Sequence, residues 1–374
     1  MSDIKNISYI TYQSFPSDKA NTIQTVSNIK YFVKIGIKVA LYFPMREKNS
    51  CSDLKTLQRK YSVDEEFEIF GLKHNLPFGK LKFFNRFFFL ISHFLWSRTT
   101  VKKILSNKAE PDLYFTRSDW VFYFLSKKKK HVIFECHQYS KLRMYLMKLS
   151  LHNPYAKIIF LNKNLYEDFK YKSLLLDKFS IIHNGVDLEL FEKDNHKNKK
   201  EIIFVGNLRR FGESRDLEFI IDSILKIKNG FVLKVVGATK NEITELQKKY
   251  CSKDFDEHIK IIGRLSRIKT MQHIITAEVG LLINSDKNFH STKYTSPIKY
   301  FEYLGAGLKV LAVDFDSHRK LPFAENIVYF RNNDFLSFKK ALNIITNLEN
   351  KSLINRDMVS LENRVNKILK LAEL

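Results

Sequence analysis

Eleven short runs rich in β-branched and aromatic residues recur along the chain, at 6–12, 38–43, 112–116, 131–137, 157–162, 179–184, 201–207, 231–237, 258–263, 279–284 and 308–314. Most are unbroken apolar runs rather than alternating ones, the pattern of strands covered on both faces, and the stretches between them have helix length. Such alternation predicts an α/β, doubly wound architecture with parallel sheets. It occurs twice: the polar, lysine-rich stretch 186–200 separates six runs from five and reads as a linker. The expected organisation is a domain over 1–185, a linker over 186–200, a second domain over 201–345 and a helical segment over 346–374 with room to return to the first domain. Two such domains would face each other across a cleft.

Composition agrees. A length of 374 residues suits two domains, and 44% hydrophobic residues with 12 Gly and 7 Pro exclude a disordered or collagenous chain. Cys51, Cys136 and Cys251 lie far apart without CxxC spacing, which excludes a disulfide framework and a thiolate zinc site and suits a reducing compartment. The N-terminal MSDIKNISYITY lacks the basic, apolar and small-residue regions of a secretory signal, so a cytoplasmic location is expected. The formal charge of +23 implies an anionic partner such as nucleic acid, acidic lipid or a phosphorylated substrate. A lysine-rich codon bias accounts for part of it equally well.

Ligands of open α/β sheets bind beyond the carboxyl ends of the strands, so the loops there carry the chemistry. The segment 295–307, TSPIKYFEYLGAG, predicts a helix with Ser296 as N-cap and Pro297 at its first position, whose amide donors can receive phosphate. Glu302, a turn and a half further on, can accept both hydroxyls of a vicinal diol such as ribose. An ordinary capped helix with a solvated glutamate fits the same residues.

This segment resembles the SPxKxxEYxxxGxxV signature of the retaining nucleotide-sugar glycosyltransferases of the GT-B fold, family 4-like. Segments 15–44, 132–137 (VIFECH), 158–187 (IIFLNKNLYEDF with FSIIHNGVD) and 201–212 (EIIFVGNLRRFG) agree in order, so the resemblance covers most of the chain. It implies two Rossmann-like domains, the first binding the acceptor and the second the nucleotide sugar. It further implies that Glu302 holds the ribose, that the helix start at Ser296 and Ile298 receives the diphosphate, and that His137 of the ExH motif is catalytic at the donor sugar. A histidine satisfied at a strand end fits His137 too. Many relatives carry a glutamate where Tyr294 stands, against the sugar, and a basic pair after Gly206. Here Asn207 replaces the first of that pair, leaving Arg209, Arg210 and Arg215 as substitutes, and Arg264 stands where relatives clasp the base. Asn21 and Thr22, in place of a glycine-rich loop, can cap the first long helix and aim it at phosphate or acceptor; capping alone explains them equally well.

Between Glu68 and Glu110 there is no acidic residue, while eight Lys or Arg and nine Phe or Trp occur. Asn85, Arg86, Ser92, His93 and Thr100 recur at heptad spacing and leave a wide apolar face. The run is too short to span a bilayer, which takes about 20 residues. It predicts a helix lying in an anionic membrane interface through Phe84, Arg86, Phe87, Phe88, Phe94, Trp96, Lys102 and Lys103; a buried helix is the competing expectation.

The expected activity is transfer of a hexosyl-type sugar from a nucleoside-diphosphate donor to a glycan or polyprenyl-linked acceptor, peripheral on the inner face of the cell membrane, in polysaccharide or glycoconjugate assembly. No cofactor or metal is expected: no DxD pair or histidine cluster occurs, and a helix N-terminus with arginines can neutralise the leaving diphosphate. The resemblance implies front-face attack, the leaving phosphate oxygen taking the acceptor's proton. Three other readings compete. A nucleotide-sugar epimerase would need acid/base carboxylates near the sugar. An inactive GT-B scaffold subunit fits the Tyr294 and Asn207 departures. Nucleic-acid binding fits the charge, although no recognised motif for it appears and no specific nucleic-acid partner is expected.

Overall fold

The computed structural model describes residues 4–74, 85–107, 109–169, 177–191, 196–210, 213–227, 230–348 and 355–373. The chain divides into two compact units, Met1–Ile182 with Arg364–Leu374, and His183–Asn363.

In the first unit, β1 (Asn6–Ile10), β2 (Lys38–Met45), β3 (Glu68–Lys73), β4 (Leu113–Thr116), β5 (Val132–Cys136), β6 (Ala156–Phe160) and β7 (Phe179–Ile181) form a parallel sheet ordered β3-β2-β1-β4-β5-β6-β7. Its helices are α1 (Ala20–Lys34), α2 (Leu54–Tyr61), α3 (Asn85–Leu105), α4 (Asp119–Lys127), α5 (Lys141–Ser150) and α6 (Lys163–Phe169). The strand order reverses at β1, so right-handed crossovers put α1 and α2 on one face and α3, α4 and α5 on the other. Every run expected as a strand is one. β3 was not expected: it is an edge strand with most side chains partly or wholly exposed, so no unbroken apolar run announces it.

In the second unit, β8 (Asn198–Val205), β11 (Val232–Ala238), β12 (Ile259–Gly263), β13 (Ala277–Leu282), β14 (Lys309–Val313) and β15 (Ile327–Phe330) form a parallel sheet ordered β12-β11-β8-β13-β14-β15, and β9 (Arg209–Arg210) pairs antiparallel with β10 (Glu213–Ser214). Its helices are α7 (Leu217–Ile227), α8 (Lys240–Lys249), α9 (Lys253–His258), α10 (Arg267–Thr276), α11 (Phe289–Lys293), α12 (Ile298–Gly305), α13 (Asp316–Arg319) and α14 (Phe335–Asn347); α15 (Leu361–Glu373) follows and enters the first unit from Arg364. Strand residues sort alternately onto two cores, Ile202 and Phe204 into one, Ile203 and Val205 into the other. Helix α12 lies close over β13, where a Cβ on Gly280 would sit 2.3 Å from the Tyr303 ring.

The described residues of 186–200, which are 186–191 and 196–200, pack as part of the second unit. Val186 and Phe191 are buried in the second core, Val186 N–H donates to the Val359 carbonyl at 2.9 Å, and residues from Asn198 belong to β8. Lys197 donates to the Ile275 and Ala306 carbonyls at 2.6 and 2.7 Å, so that lysine too is part of the unit.

Candidate functional site

The carboxyl ends of parallel strands share one edge of each sheet; His137 directly follows β5 and Gly206 directly follows β8. In the second unit, α12 starts at Ile298, with Pro297 rather than Ser296 at the capping position and no side chain capping it. Ser296 is engaged elsewhere: its carbonyl and Oγ accept from Asn184 Nδ2 at 2.8 and 3.3 Å. The expectation of a serine cap is therefore corrected, because the HNGVD segment competes for that serine. Ile298 opens a helix start without a side-chain cap.

Glu302 is fully buried. Its Oε1 accepts from Arg267 Nη1 at 3.1 Å and its Oε2 from Lys299 Nζ at 2.6 Å. Burial opposes ionisation, but Lys299 and Arg267 outweigh it and hold the carboxyl below the usual range. Each oxygen keeps a further lone-pair direction for a hydroxyl donor. Lys299 was legible as the i, i+3 partner of Glu302. Arg267, from α10, was not, since only the fold brings it 35 positions to the carboxylate. Arg264, expected near the base, is exposed.

Gly206 and Gly237 have φ of +152° and +115°, and a Cβ on Gly237 would lie 2.8 Å from the Gly206 carbonyl oxygen, so the two backbones approach as only glycines allow. A Cβ on Gly206 would in turn meet Arg215 Nη1 at 3.1 Å. Of the three arginines expected after β8, Arg215 is thus the one at the strand's end, its guanidinium 5.8 Å over the Phe204 ring. Arg209 is exposed on β9, and the side chain of Arg210 lies outside the described residues. Tyr294 is buried and packs edge-on to Phe289 at 5.6 Å. Asn284, two residues beyond β13, has a buried Oδ1 with no hydrogen-bond partner, an opening for a donor from water or ligand that no sequence signal marks.

In the first unit, β5 is buried throughout and delivers Glu135 and His137 to the sheet's edge. Glu135 Oε1 accepts from His137 Nε2 and lies 3.4 Å from Arg117 Nε; Oε2 accepts from Arg364 Nη2 of α15. Arg117 Nη2 donates to His137 Nδ1 at 2.8 Å. Burial and Arg117 push the imidazole down to about 3, and although burial alone would raise the carboxyl, Arg364, His137 and Arg117 hold it far below its usual range. The contact is therefore a hydrogen bond from a neutral imidazole, with its proton on Nε2, and not an ion pair. Both ring nitrogens are committed within the unit. Arg117 and Arg364, unmarked in the sequence, complete the site.

Asn21 and Thr22 do not cap α1. The helix begins at Ala20, so both lie in its first turn, too late to cap it. The Thr22 hydroxyl donates to the Ser17 and Lys19 carbonyls at 2.8 and 2.7 Å, and the Asn21 carbonyl accepts from Arg117 Nη1 at 2.8 Å. They tie the loop after β1 to the same guanidinium that holds His137.

Helix α3 turns its polar stripe inward. Ser92, His93, Ser97 and Thr100 are buried. His93 Nε2 hydrogen-bonds Ser118 Oγ at 2.7 Å and its ring stacks on Tyr12 at 4.2 Å; the Tyr12 hydroxyl donates to Ser92 Oγ at 3.1 Å. Phe87, Leu90 and Leu95 are 58, 40 and 40% exposed, and Arg98, Lys102 and Lys103 are exposed beside them. Trp96 is buried, Phe88 half-buried, and Phe94 packs on Trp120 at 4.8 Å, so Trp96 and Phe94 serve the fold rather than the outer face. Phe84 and the side chain of Arg86 lie outside the described residues. Among the described residues no helix is long and apolar enough to cross a membrane, and no three His, Cys, Asp or Glu side chains converge to hold a metal ion.

No protein-family model matches the sequence, and no curated protein matches it. Solved structures do match the fold. A glycosyltransferase from Rickettsia africae ESF-5 superposes with a TM-score of 0.68 at 12% identity, over 99% of this chain and 98% of that one. A trehalose-6-phosphate protein from E. coli, bound with UDP-2-fluoro glucose, gives 0.67 at 12% identity over 99% of each chain. Anabaena Alr3699/HepE in complex with UDP gives 0.64 at 11% identity, over 99% and 100%. With parallel sheets of seven and six strands among the described residues, the chain has the GT-B fold, an α/β architecture of two Rossmann-like domains.

Proposed function

We propose that the chain is a glycosyltransferase that moves a sugar from a nucleoside-diphosphate donor to a glycan or lipid-linked acceptor. The observation that carries this reading is Glu302, an ionised carboxylate wholly inside the second unit, in a helix whose first amides no side chain caps. A carboxylate kept charged at such a place suits a ribose diol, and the uncapped helix start with Lys299 and Arg215 suits the diphosphate. The ribose hydroxyls take the remaining lone-pair directions of Glu302, while Lys299 and Arg267 keep the carboxylate charged. Structural neighbours that bind UDP and UDP-sugars support a nucleotide-sugar donor. The family resemblance of the motifs supports retention, with the leaving phosphate oxygen taking the acceptor's proton, His137 acting at the sugar, and charge neutralisation by these cations without a metal.

The outer face of α3, with exposed Phe87, Leu90 and Leu95 beside Arg98, Lys102 and Lys103, supports peripheral binding to an anionic membrane surface, where lipid-linked acceptors of cell-surface glycoconjugates are held. One observation favours an inactive scaffold instead: both nitrogens of His137 are engaged inside the protein.

Thermal shift against UDP, GDP and their sugars tests the donor reading, since a ligand at about 100 times its Kd stabilises by about 2.7 kcal/mol. Glu302→Gln, which keeps the volume, should weaken the best binder at least about tenfold by calorimetry, because charge-assisted hydrogen bonds to the ribose become neutral ones. Unchanged affinity in the folded variant removes Glu302 from the site.

A further inference from the structure

We propose that Arg364, on the C-terminal helix, is a positioning residue that orients His137 and keeps its proton on Nε2 by way of Glu135. The proposal rests on the reading of His137 as a residue of the transfer step. Glu135 has two oxygens and no contact with solvent. One is given to His137 and Arg117, the other to Arg364, which lies 229 positions away in sequence. Arg364 is itself held by two more acceptors, the Ile182 carbonyl at 3.0 Å and Asn28 Oδ1 at 3.3 Å. A guanidinium fixed on several elements in this way fixes the carboxylate plane, and with it the direction of the Nε2–H bond.

The charge balance matters as much as the direction. Facing the imidazole are Glu135 on β5, Arg117 after β4 and Arg364 on α15; Tyr9 on β1 faces the same carboxylate and Arg117. Two guanidiniums against one carboxylate leave a surplus positive charge around Glu135, which has no contact with solvent, and beside an imidazole whose side chain is 17% exposed. That surplus keeps a second proton off the ring, and the Arg117 hydrogen bond to Nδ1 fixes which nitrogen stays bare. Without Arg364, Glu135 is balanced by Arg117 alone. The carboxylate then draws a proton onto the imidazole and is no longer held in one plane.

Imidazole ¹⁵N–¹H spectra of the full chain labelled with ¹⁵N-histidine test this, with His137 assigned through His137→Gln. In the natural protein His137 should show one tautomer, protonated on Nε2, with no titration between about pH 5 and 8. In Arg364→Met its pKa should rise by at least about one unit, or its tautomers should mix, while Arg364→Lys, which keeps a cation with shorter reach, should fall between. A folded Arg364→Met with an unchanged His137 spectrum overturns the proposal; where the methionine variant does not fold, an unchanged spectrum in Arg364→Lys does the same. Full UDP-glucose turnover retained in His137→Gln would instead overturn the role of His137 and leave its positioning by Arg364 standing, so the two failures are told apart.

Discussion

His137 shows how burial sets a residue's chemistry. Its folded pKa, pushed down to about 3 by burial and by Arg117, lies well below the ordinary histidine value of about 6.5. Below about pH 6.5 the unfolded chain takes up a proton that the folded protein refuses, so stability is lost as pH falls from there toward 3. His74 and His93, each held down to about 4 chiefly by burial, act in the same direction. Glu135 and Glu302, depressed carboxyls, contribute stability present above about pH 4.3 and lost below it. His137→Gln is therefore expected to reduce the slope of stability against pH between about 6 and 4.5 by up to about 1.4 kcal/mol per pH unit, one proton's worth. Urea midpoints measured across that range check this; an unchanged slope means that the ring is charged in the folded state.

Helix α3 is an element whose sequence pattern and orientation point opposite ways. Its hydrophobic residues outnumber its polar ones, which ordinarily turns the apolar side inward. Here Tyr12, His74 and Ser118 offer hydrogen bonds from the sheet's edge, and Ser92 and His93 take them. Phe87, Leu90 and Leu95 are left at the surface because much of the inner side is already claimed by Ser92, His93, Ser97 and Thr100. Phe87→Ser with Leu90→Ser should accordingly abolish most binding to vesicles containing phosphatidylserine while leaving the thermal midpoint nearly unchanged. Lys102→Ser with Lys103→Ser should weaken binding by roughly 2 kcal/mol, about 1 kcal/mol for each lysine, and make it less salt-sensitive. Vesicle binding that survives the first pair in a folded protein excludes α3 as the membrane element.

Both ends of the chain belong to the first unit, and the second is built from the continuous segment between them. The first unit is completed only by residues from Arg364 onward, and its buried carboxylate loses a partner if they are removed. Deleting residues 364–374 should lower the first unit's unfolding midpoint by an amount equivalent to at least about 3–5 kcal/mol, the usual cost of removing one partner of a buried ion pair, since the buried Val365 and Ile368 are lost with it, and hydrogen exchange should show part of the loss at β5. Protection at β5 equal to that of the intact chain would show that Glu135 needs no partner from α15. Strand runs, the two-fold α/β repeat and Glu302 within its helix were all legible in the sequence, because parallel strands buried on both faces need continuous apolar residues and because Glu302 and Lys299 are neighbours on one helix. The edge strand β3 escaped notice since solvent interrupts its apolar pattern, and the serine cap failed because Asn184 takes Ser296. Arg267, Arg117 and Arg364 became site residues only through tertiary structure: a lone arginine carries no local signal, and its carboxylate lies 35, 18 or 229 positions away along the chain. Local periodicity is written in residues a few positions apart and survives in one dimension, whereas the partner of a buried charge is chosen by the folded sheet.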